Sequence, residues 1–390
     1  MNSKQERLIH AISSFSYGDA FVFAPDEWQK GNARREPADV IWSANGCLML
    51  MYMKESGGTR DDPVRNRSKR DKFIKTNLCQ ASGALRRWRS GSPIKGSNRF
   101  KSFSIPHEQS LPLVVLSLAE TGCAIAQYHH EKACEMGVAM CATIPTSALD
   151  YLAHMGGSML DLMFFLIHLS SRKGSWSEDE TNKALNVYWR NASQQSGVLA
   201  TWPGGDDGRF RIASDLLIGL RSIAPESRTV MRRLLRSRDT DLSPDRVSPL
   251  AEIFNDIRLV DNLILVAQTA ALLDLAARRR DVVRLVKLAH YDIVLCAMIE
   301  FDPSYTAPID VALDAAKRID RRGVGYVAPV IFHFIKPRVS VCRFGFAPRP
   351  FPSAANTLLT SWANAQGTPL HVSIMQTIAD FFLPVAGSNG

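Results

Sequence analysis

The chain has 390 residues, 46% hydrophobic and 22% charged, a balance that suits a soluble globular protein and excludes wholesale disorder, collagen and simple coiled coil. Its 47 Lys and Arg outnumber its 38 Asp and Glu, giving +9 and raising the question of a polyanionic partner. The length can bury a sizeable core and points to two domains or one large elaborated one.

The first ten residues, MNSKQERLIH, are charged and polar, so no secretory leader is expected. Residues 4–14 read as a helix and 20–24 as a strand. The next segment, REPADVIWSANGCLMLMYMKES (35–56), holds Asn45-Gly46 between two apolar runs, a signal for a two-residue type I′ hairpin. With those residues in the turn, facing positions sum to 91: Ala44 with Cys47, Asp39 with Tyr52, Pro37 with Lys54. Alternation then sets Asp39, Tyr52 and Lys54 on one face. The second strand, LMLMYM, is apolar on both faces and is expected to be central and buried. An Asp and a Lys there are costly unless paired or functional.

Positive charge is concentrated just downstream. Residues 60–101 hold thirteen Lys or Arg and three Asp, a local +10, which leaves 34 cations against 35 acids elsewhere. Within it, Ile74, Leu78, Ala81, Leu85 and Trp88 form a helical apolar stripe over 69–89. Lys69, Lys72, Arg86 and Arg87 fall on the opposite side, and the segments 57–68 and 90–101, read as loops, extend the charge. This surface is read either as a solvated helix face or as a nucleic-acid surface that salt should weaken. Trp88 is assigned to the core rather than to base stacking.

Pro37-Ala38-Asp39, the Asn-Gly turn, an apolar strand ending in Lys54 and the basic helix together resemble the PD-(D/E)xK nuclease superfamily. That family has the restriction-endonuclease-like fold. The resemblance covers about residues 1–145 and implies an α/β domain whose core runs helix, three antiparallel strands, helix, strand. Here these would be 4–14, 20–24, 38–43, 47–54, 69–89 and 112–119. The match carries one inserted residue between Pro37 and Asp39. The resemblance implies Mg²⁺-dependent phosphodiester hydrolysis, with Asp39 as a metal ligand and Lys54 as the lysine of the site. Such an ion activates a water and neutralises charge developing on the phosphate, and the lysine orients that water.

The departure is Tyr52, which stands where the motif has an acid. A phenol is a poor Mg²⁺ ligand at neutral pH. Glu36, Glu6 or Glu55 could supply the second carboxylate, with Glu36 the choice for the metal site. Strand parity nevertheless turns Glu36 and Glu55 to the far face unless a bulge redirects them. Gln80, on the flank of the basic helix, occupies a region where some of these nucleases carry a supporting polar residue.

Residues 112–119, 122–128 and 137–142 read as strands completing the first sheet, followed by a helix over 146–155. Ser158 and Asp161 have capping-box spacing, and MLDLMFFLIHL reads as a buried helix. The division expected is a nuclease-like domain over 1–145 and a mainly α-helical domain of unknown role over 146–390. Helices are expected at 177–193, 212–223, 228–237, 246–256, 259–279, 281–300 and 309–321, with a late β-hairpin around 336–338. Seven scattered cysteines without CxxC spacing argue for reduced thiols. The pair His129-His130 with Cys134 lacks a fourth zinc ligand, and no stretch is apolar for long enough to span a membrane.

The reading is a nucleic-acid-directed protein, DNA ahead of RNA. It binds through Lys69, Lys72, Arg86 and Arg87 and is an endonuclease if Asp39, Glu36 and Lys54 support Mg²⁺ chemistry. The reduced thiols make the cytoplasm the expected place, and a role in restriction, repair or mobile-element defence follows from the resemblance alone. The alternative is an inactive nuclease-fold module that binds nucleic acid or serves as a scaffold. A third is an unrelated α/β protein with an acidic protein partner.

Overall fold

The computed structural model describes residues 4–13, 21–30, 33–44, 47–53, 63–98, 102–107, 113–119, 127–155, 158–171, 180–181, 183–187, 281–287, 291–298, 326–335 and 338–344. The chain divides into two compact units, residues 1–191 with 352–390, and residues 192–351.

The first unit is an α/β fold built on a mixed seven-stranded sheet flanked by helices. Helix α1 (Lys4–Ser13) precedes strand β1 (Val22–Pro25), a short ribbon of β2 (Trp28–Lys30) and β3 (Ala33–Arg35), then β4 (Val40–Ala44) and β5 (Cys47–Met53). Helix α2 (Pro63–Arg89) leads to β6 (Ile94–Ser97), β7 (Ser102–Ile105) and β8 (Leu113–Ala119). Helix α3 (Gln127–Met136), β9 (Met140–Pro145), α4 (Thr146–Met155) and α5 (Met159–Ser171) follow. The sheet order is β7-β6-β1-β4-β5-β8-β9; β5, β8 and β9 run parallel and the other neighbours antiparallel. The succession α1, β1, β4, β5, α2, β8 follows the expected order of elements. The β2–β3 ribbon and the edge pair β6–β7 are additions.

The hairpin register is the expected one. Val40 pairs with Met51, Ile41 with Leu50 and Ala44 with Cys47, each pair summing to 91. Residues 45 and 46 lie outside the described residues. Strand β5 is buried along its whole length, as a central strand apolar on both faces should be. Leu48, Leu50 and Tyr52 share one core cluster with Ile41, Leu113, Val115 and the α2 stripe of Ile74, Leu78, Ala81, Leu85 and Trp88. Each large side chain so buried contributes about 1.5–3 kcal/mol. Trp88 donates from Nε1 to the Ile105 carbonyl at 3.0 Å and is buried, which makes it the anchor it was expected to be.

Several expectations need correction. Residues 63–68 belong to α2 rather than to a loop. Proline suits a first helical turn, and the polar run after it carries no apolar period to betray a helix. Residues 94–97 form a strand with alternating burial. The strand expected at 122–128 is contradicted at its end, because α3 begins at Gln127; 122–126 lie outside the described residues. His129, Ala133 and Met136, buried at i, i+4 and i+7, are the helical signal that was missed. The strand expected at 137–142 occupies 140–145. Gly137 (φ 58°) ends α3 in a Schellman motif, with Val138 N donating to Ala133 O at 3.0 Å. The capping box at α5 is present: Ser158 N donates to the Asp161 carboxylate at 2.9 Å, and Asp161 N to Ser158 Oγ at 3.3 Å. Helix α1 packs on β4 and α4.

In the second unit, β10 (Asp281–Lys287), β11 (Tyr291–Met298), β12 (Tyr326–Ile335) and β13 (Arg338–Phe344) form a four-stranded sheet in sequence order. The helix expected at 281–300 is therefore two strands, in keeping with β-branched runs such as Val282-Val283 and Ile293-Val294. The late hairpin is present as β12–β13, with Ile335 paired to Arg338, so Arg338 opens a strand and only 336–337 lie between. The helices expected at 212–223, 228–237, 246–256, 259–279 and 309–321 lie outside the described residues, and of 177–193 only 180–181 and 183–187 are described, as helix. Among the described residues no helix is long and apolar enough to cross a membrane.

Gly96 offers a test of how tightly the sheet is closed over the first core. A Cβ built there would lie 2.6 Å from the Ala24 carbonyl oxygen and 2.6 Å from the Phe103 ring. The ring can move but the backbone cannot. Gly96→Ala should destabilise the protein by about 1–3 kcal/mol in urea unfolding. A change within experimental error would show that β1 and β6 are not closed in this way.

Candidate functional site

The site begins where strand pairing stops. Beyond the Val40–Met51 pair, Asp39 N still donates to Met51 O at 3.0 Å. Then Pro37, which has no N–H and a fixed φ, breaks the ladder. Residues 36–39 are not strand. Two hydrogen bonds from β5 fasten this irregular segment: the Tyr52 hydroxyl donates to the Pro37 carbonyl, and the Met53 N–H donates to the Asp39 carboxylate. Helix α2 supports β5 from behind through buried Asn77, whose side-chain amide donates to Ser117 Oγ at 2.8 Å and to the Tyr52 carbonyl at 3.4 Å. Nothing in the apolar stripe singled Asn77 out. Its position at i+3 from Ile74 on the same face is the signal that could have.

Because 36–39 leaves the strand, the parity that turned Glu36 to the far face does not apply. The structure brings Glu36, Asp39 and Glu6 together, with one ligand atom of each within 4.8 Å of the others. Among the described residues this is the group of acids able to share a cation. Oxygens about 2.1 Å from an octahedral Mg²⁺ lie at most about 4.2 Å apart. Only one pair among three donors can be trans and the other pairs lie about 3.0 Å apart, so a shared Mg²⁺ would require the carboxylates, now within 4.8 Å of one another, to close around it. Lys54 and Glu55 lie outside the described residues, so the Asp39–Lys54 juxtaposition is not part of this geometry.

Electrostatics distinguish the acids from the phenol. Partial burial, then the charges of Glu6, Asp39 and Glu27, hold the Glu36 carboxyl above its ordinary range. A cation in the group would relieve that repulsion. Burial, then Asp39 and Cys141, pushes the Tyr52 phenol well above its usual value. Tyr52 is thus a neutral hydrogen-bond donor, not a ligand.

Asp39, Glu36 and Tyr52 line a cleft of about 790 Å³. The flank of α2 contributes Cys79, Gln80, Gly83, Arg86 and Arg87, and the β2–β3 ribbon contributes Trp28 and Arg35. Gln80 thus stands in the same cleft as the acids. The basic residues divide by role. Arg86 is exposed in the cleft. Arg87 donates from Nη1 to the Gln29 carbonyl at 2.8 Å and lies 5.0 Å from the centroid of the Trp28 ring. Arg89 donates to the carbonyls of Met136 and Gly137 and caps α3. Lys69 and Lys72 are on the basic side of α2, but Lys72 is fourteen residues before Arg86, about 20 Å along the helix.

The histidine pair divides as a structural reading requires. His129 is buried against Thr143 Oγ1 at 2.7 Å, with its pKa lowered to about 4 by burial, while His130 is exposed with its Nε2 3.9 Å from Cys134. No family model, curated protein or solved structure matches the chain.

The acid group yields a pH-dependent test. A raised Glu36 pKa means the ionised carboxylate is disfavoured in the fold, so its cost is present at high pH and vanishes once it protonates. A cation offsets the cost only where Glu36 is charged. Millimolar Mg²⁺ should therefore raise the thermal midpoint by about 2 °C or more at pH 8. The gain should shrink toward pH 5 and disappear in Asp39→Ala. A gain that is equal in wild type and Asp39→Ala would place the ion elsewhere.

Proposed function

We propose that the first unit is a restriction-endonuclease-like domain that acts on nucleic acid, DNA ahead of RNA, by Mg²⁺-dependent phosphodiester hydrolysis. The observation that carries this reading is the convergence of Asp39, Glu36 and Glu6 beside a cleft that the exposed Arg35 and Arg86 also line. Acids that hold a cation next to cations that meet phosphates are what hydrolysis of a polyanion needs. The element order around the mixed sheet supports it as well.

In this reading the Asp39 and Glu36 carboxylates hold the ion, and Glu6 completes the set from α1. The ion supplies a water activated at neutral pH and charge to offset that on the phosphate. The Met53 N–H donates to the Asp39 carboxylate and so orients it. Lys54, which follows Met53, is assigned to the attacking water. Cys79 and Cys134, exposed, and Cys47 and Cys141, buried, are thiols rather than halves of a disulfide, which suits a reducing cytoplasm.

Tyr52 favours a second reading. A buried neutral phenol in place of the motif's acid leaves the site dependent on Glu36, whose carboxyl already resists ionisation. An inactive module that binds nucleic acid would need only the basic wall.

Plasmid nicking with Mg²⁺ or Mn²⁺ separates the two. For an active nuclease, relaxed plasmid should appear only with metal, and Asp39→Ala and Lys54→Ala should each slow nicking by about a hundredfold or more. Nicking at the wild-type rate in both variants would remove the site from consideration. Absent nicking accompanied by salt-sensitive DNA binding would select the binding module.

A further inference from the structure

The β2–β3 ribbon stands outside the seven-stranded sheet, yet it shapes the cleft. Trp28 and Arg35 are direct cross-strand partners, so their side chains share one face of the ribbon. Both line the cleft, as do the α2 residues Gln80, Gly83 and Arg86. A two-stranded ribbon of three residues a side is too short to hold its own position. It is fastened to α2 by Arg87, which donates to the Gln29 carbonyl and lies over the Trp28 ring. Arg87 is half-buried and committed to these contacts, whereas Arg35 and Arg86 are exposed at the cleft. Gly83, which also lines the cleft, has no atom within 4 Å of where a Cβ would be, which leaves the helix backbone open to a close approach.

We propose that Arg35 is a phosphate contact of the nucleic-acid site, together with Arg86 of the same cleft, and that Arg87 is a positioning residue that holds the Arg35 ribbon against α2. The proposal rests on the reading of the first unit as a nucleic-acid-directed domain, and it changes the residues that do the binding. Arg35 lies outside the +10 window and so escapes any argument from charge concentration. Arg87, inside it, works through the protein rather than on the phosphate. Arg35 and the neighbouring Glu36 of the acid group both line this cleft. A planar guanidinium suits this task because it can bind two phosphate oxygens at once.

The test is a fluorescence-anisotropy titration of the full chain against a labelled DNA duplex of mixed sequence, from about 50 to 200 mM salt. Arg35→Ala and Arg86→Ala should each weaken binding about five- to tenfold and lower the salt slope by about one. Lys132→Ala, a charge loss on α3 away from the cleft, should leave the slope unchanged. Arg87→Lys keeps the charge but loses the planar fork. It should weaken binding about threefold or more with the slope retained, and Trp28 emission, read against Trp28→Phe, should become easier to quench.

A wild type that binds duplex with the Arg35→Ala slope unchanged would overturn the proposal while leaving the nucleic-acid reading intact. A wild type with no salt-sensitive binding would end both. A slope lowered by one in Arg87→Ala, without any change in Trp28 quenching, would make Arg87 itself a phosphate contact and overturn its positioning role. Full competition by millimolar inorganic phosphate would reduce the cleft to a small-anion site and count against the duplex as ligand.

Discussion

Two hydrogen bonds at the end of β5 organise everything that is chemically interesting in the first unit. The Tyr52 hydroxyl holds the Pro37 carbonyl, and the Met53 amide holds the Asp39 carboxylate. Together they let the chain leave the ladder after Val40 without losing its place beside β5. A strand continued through 36–39 would alternate, and Glu36 would face away from Asp39. The departure from strand geometry, fastened at both points, makes a shared carboxylate group with Glu6 geometrically possible. A neutral hydrogen bond contributes only about 1 kcal/mol, but its partner here is buried in the core cluster, so the position is set by packing as much as by the bond.

The same economy governs the basic helix. Its apolar stripe fixes α2 on the sheet, and Asn77 joins it to both β5 and β8 through polar contacts in the interior. With one side so committed, its arginines take different tasks by position. Arg89 joins the end of α2 to the end of α3, Arg87 reaches the ribbon, and Arg86 remains at the cleft. A count of positive charges treats the three alike. Their neighbours do not, and a charge already bonded to backbone carbonyls has less to offer a phosphate than one facing open space.

What could be read from the sequence was whatever has a strict period or a strict turn. The register of β4 and β5 is the one expected from a two-residue reversal at 45–46, and the 74–88 stripe is the buried face of α2. Ser158 and Asp161 marked the start of α5. The period failed where polarity hid it: the polar first turns of α2, and α3, whose buried face includes His129. It failed again in the second unit, where Val-rich segments fit helix and strand alike until pairing decides. At the site, Asp39, Tyr52 and Gln80 were legible. The place of Glu36 was not, since alternation holds only inside a strand, and Pro37 marks where the strand breaks without saying which way the residue before it turns. Arg35 and Trp28 were invisible because their role depends on a ribbon lying against a distant helix.

The claim on which the site stands is that Tyr52, in the position of an expected acid, serves by holding the segment that carries Glu36 and Asp39. Calorimetric titration of Mn²⁺ into wild type and Tyr52→Phe at neutral pH tests it most directly, since the substitution removes one hydroxyl and leaves the ring in the core. The expected result is one ion bound by wild type and an affinity about fivefold weaker in Tyr52→Phe, the equivalent of one neutral hydrogen bond. Equal affinity in the two proteins, or no ion bound by wild type, would contradict it.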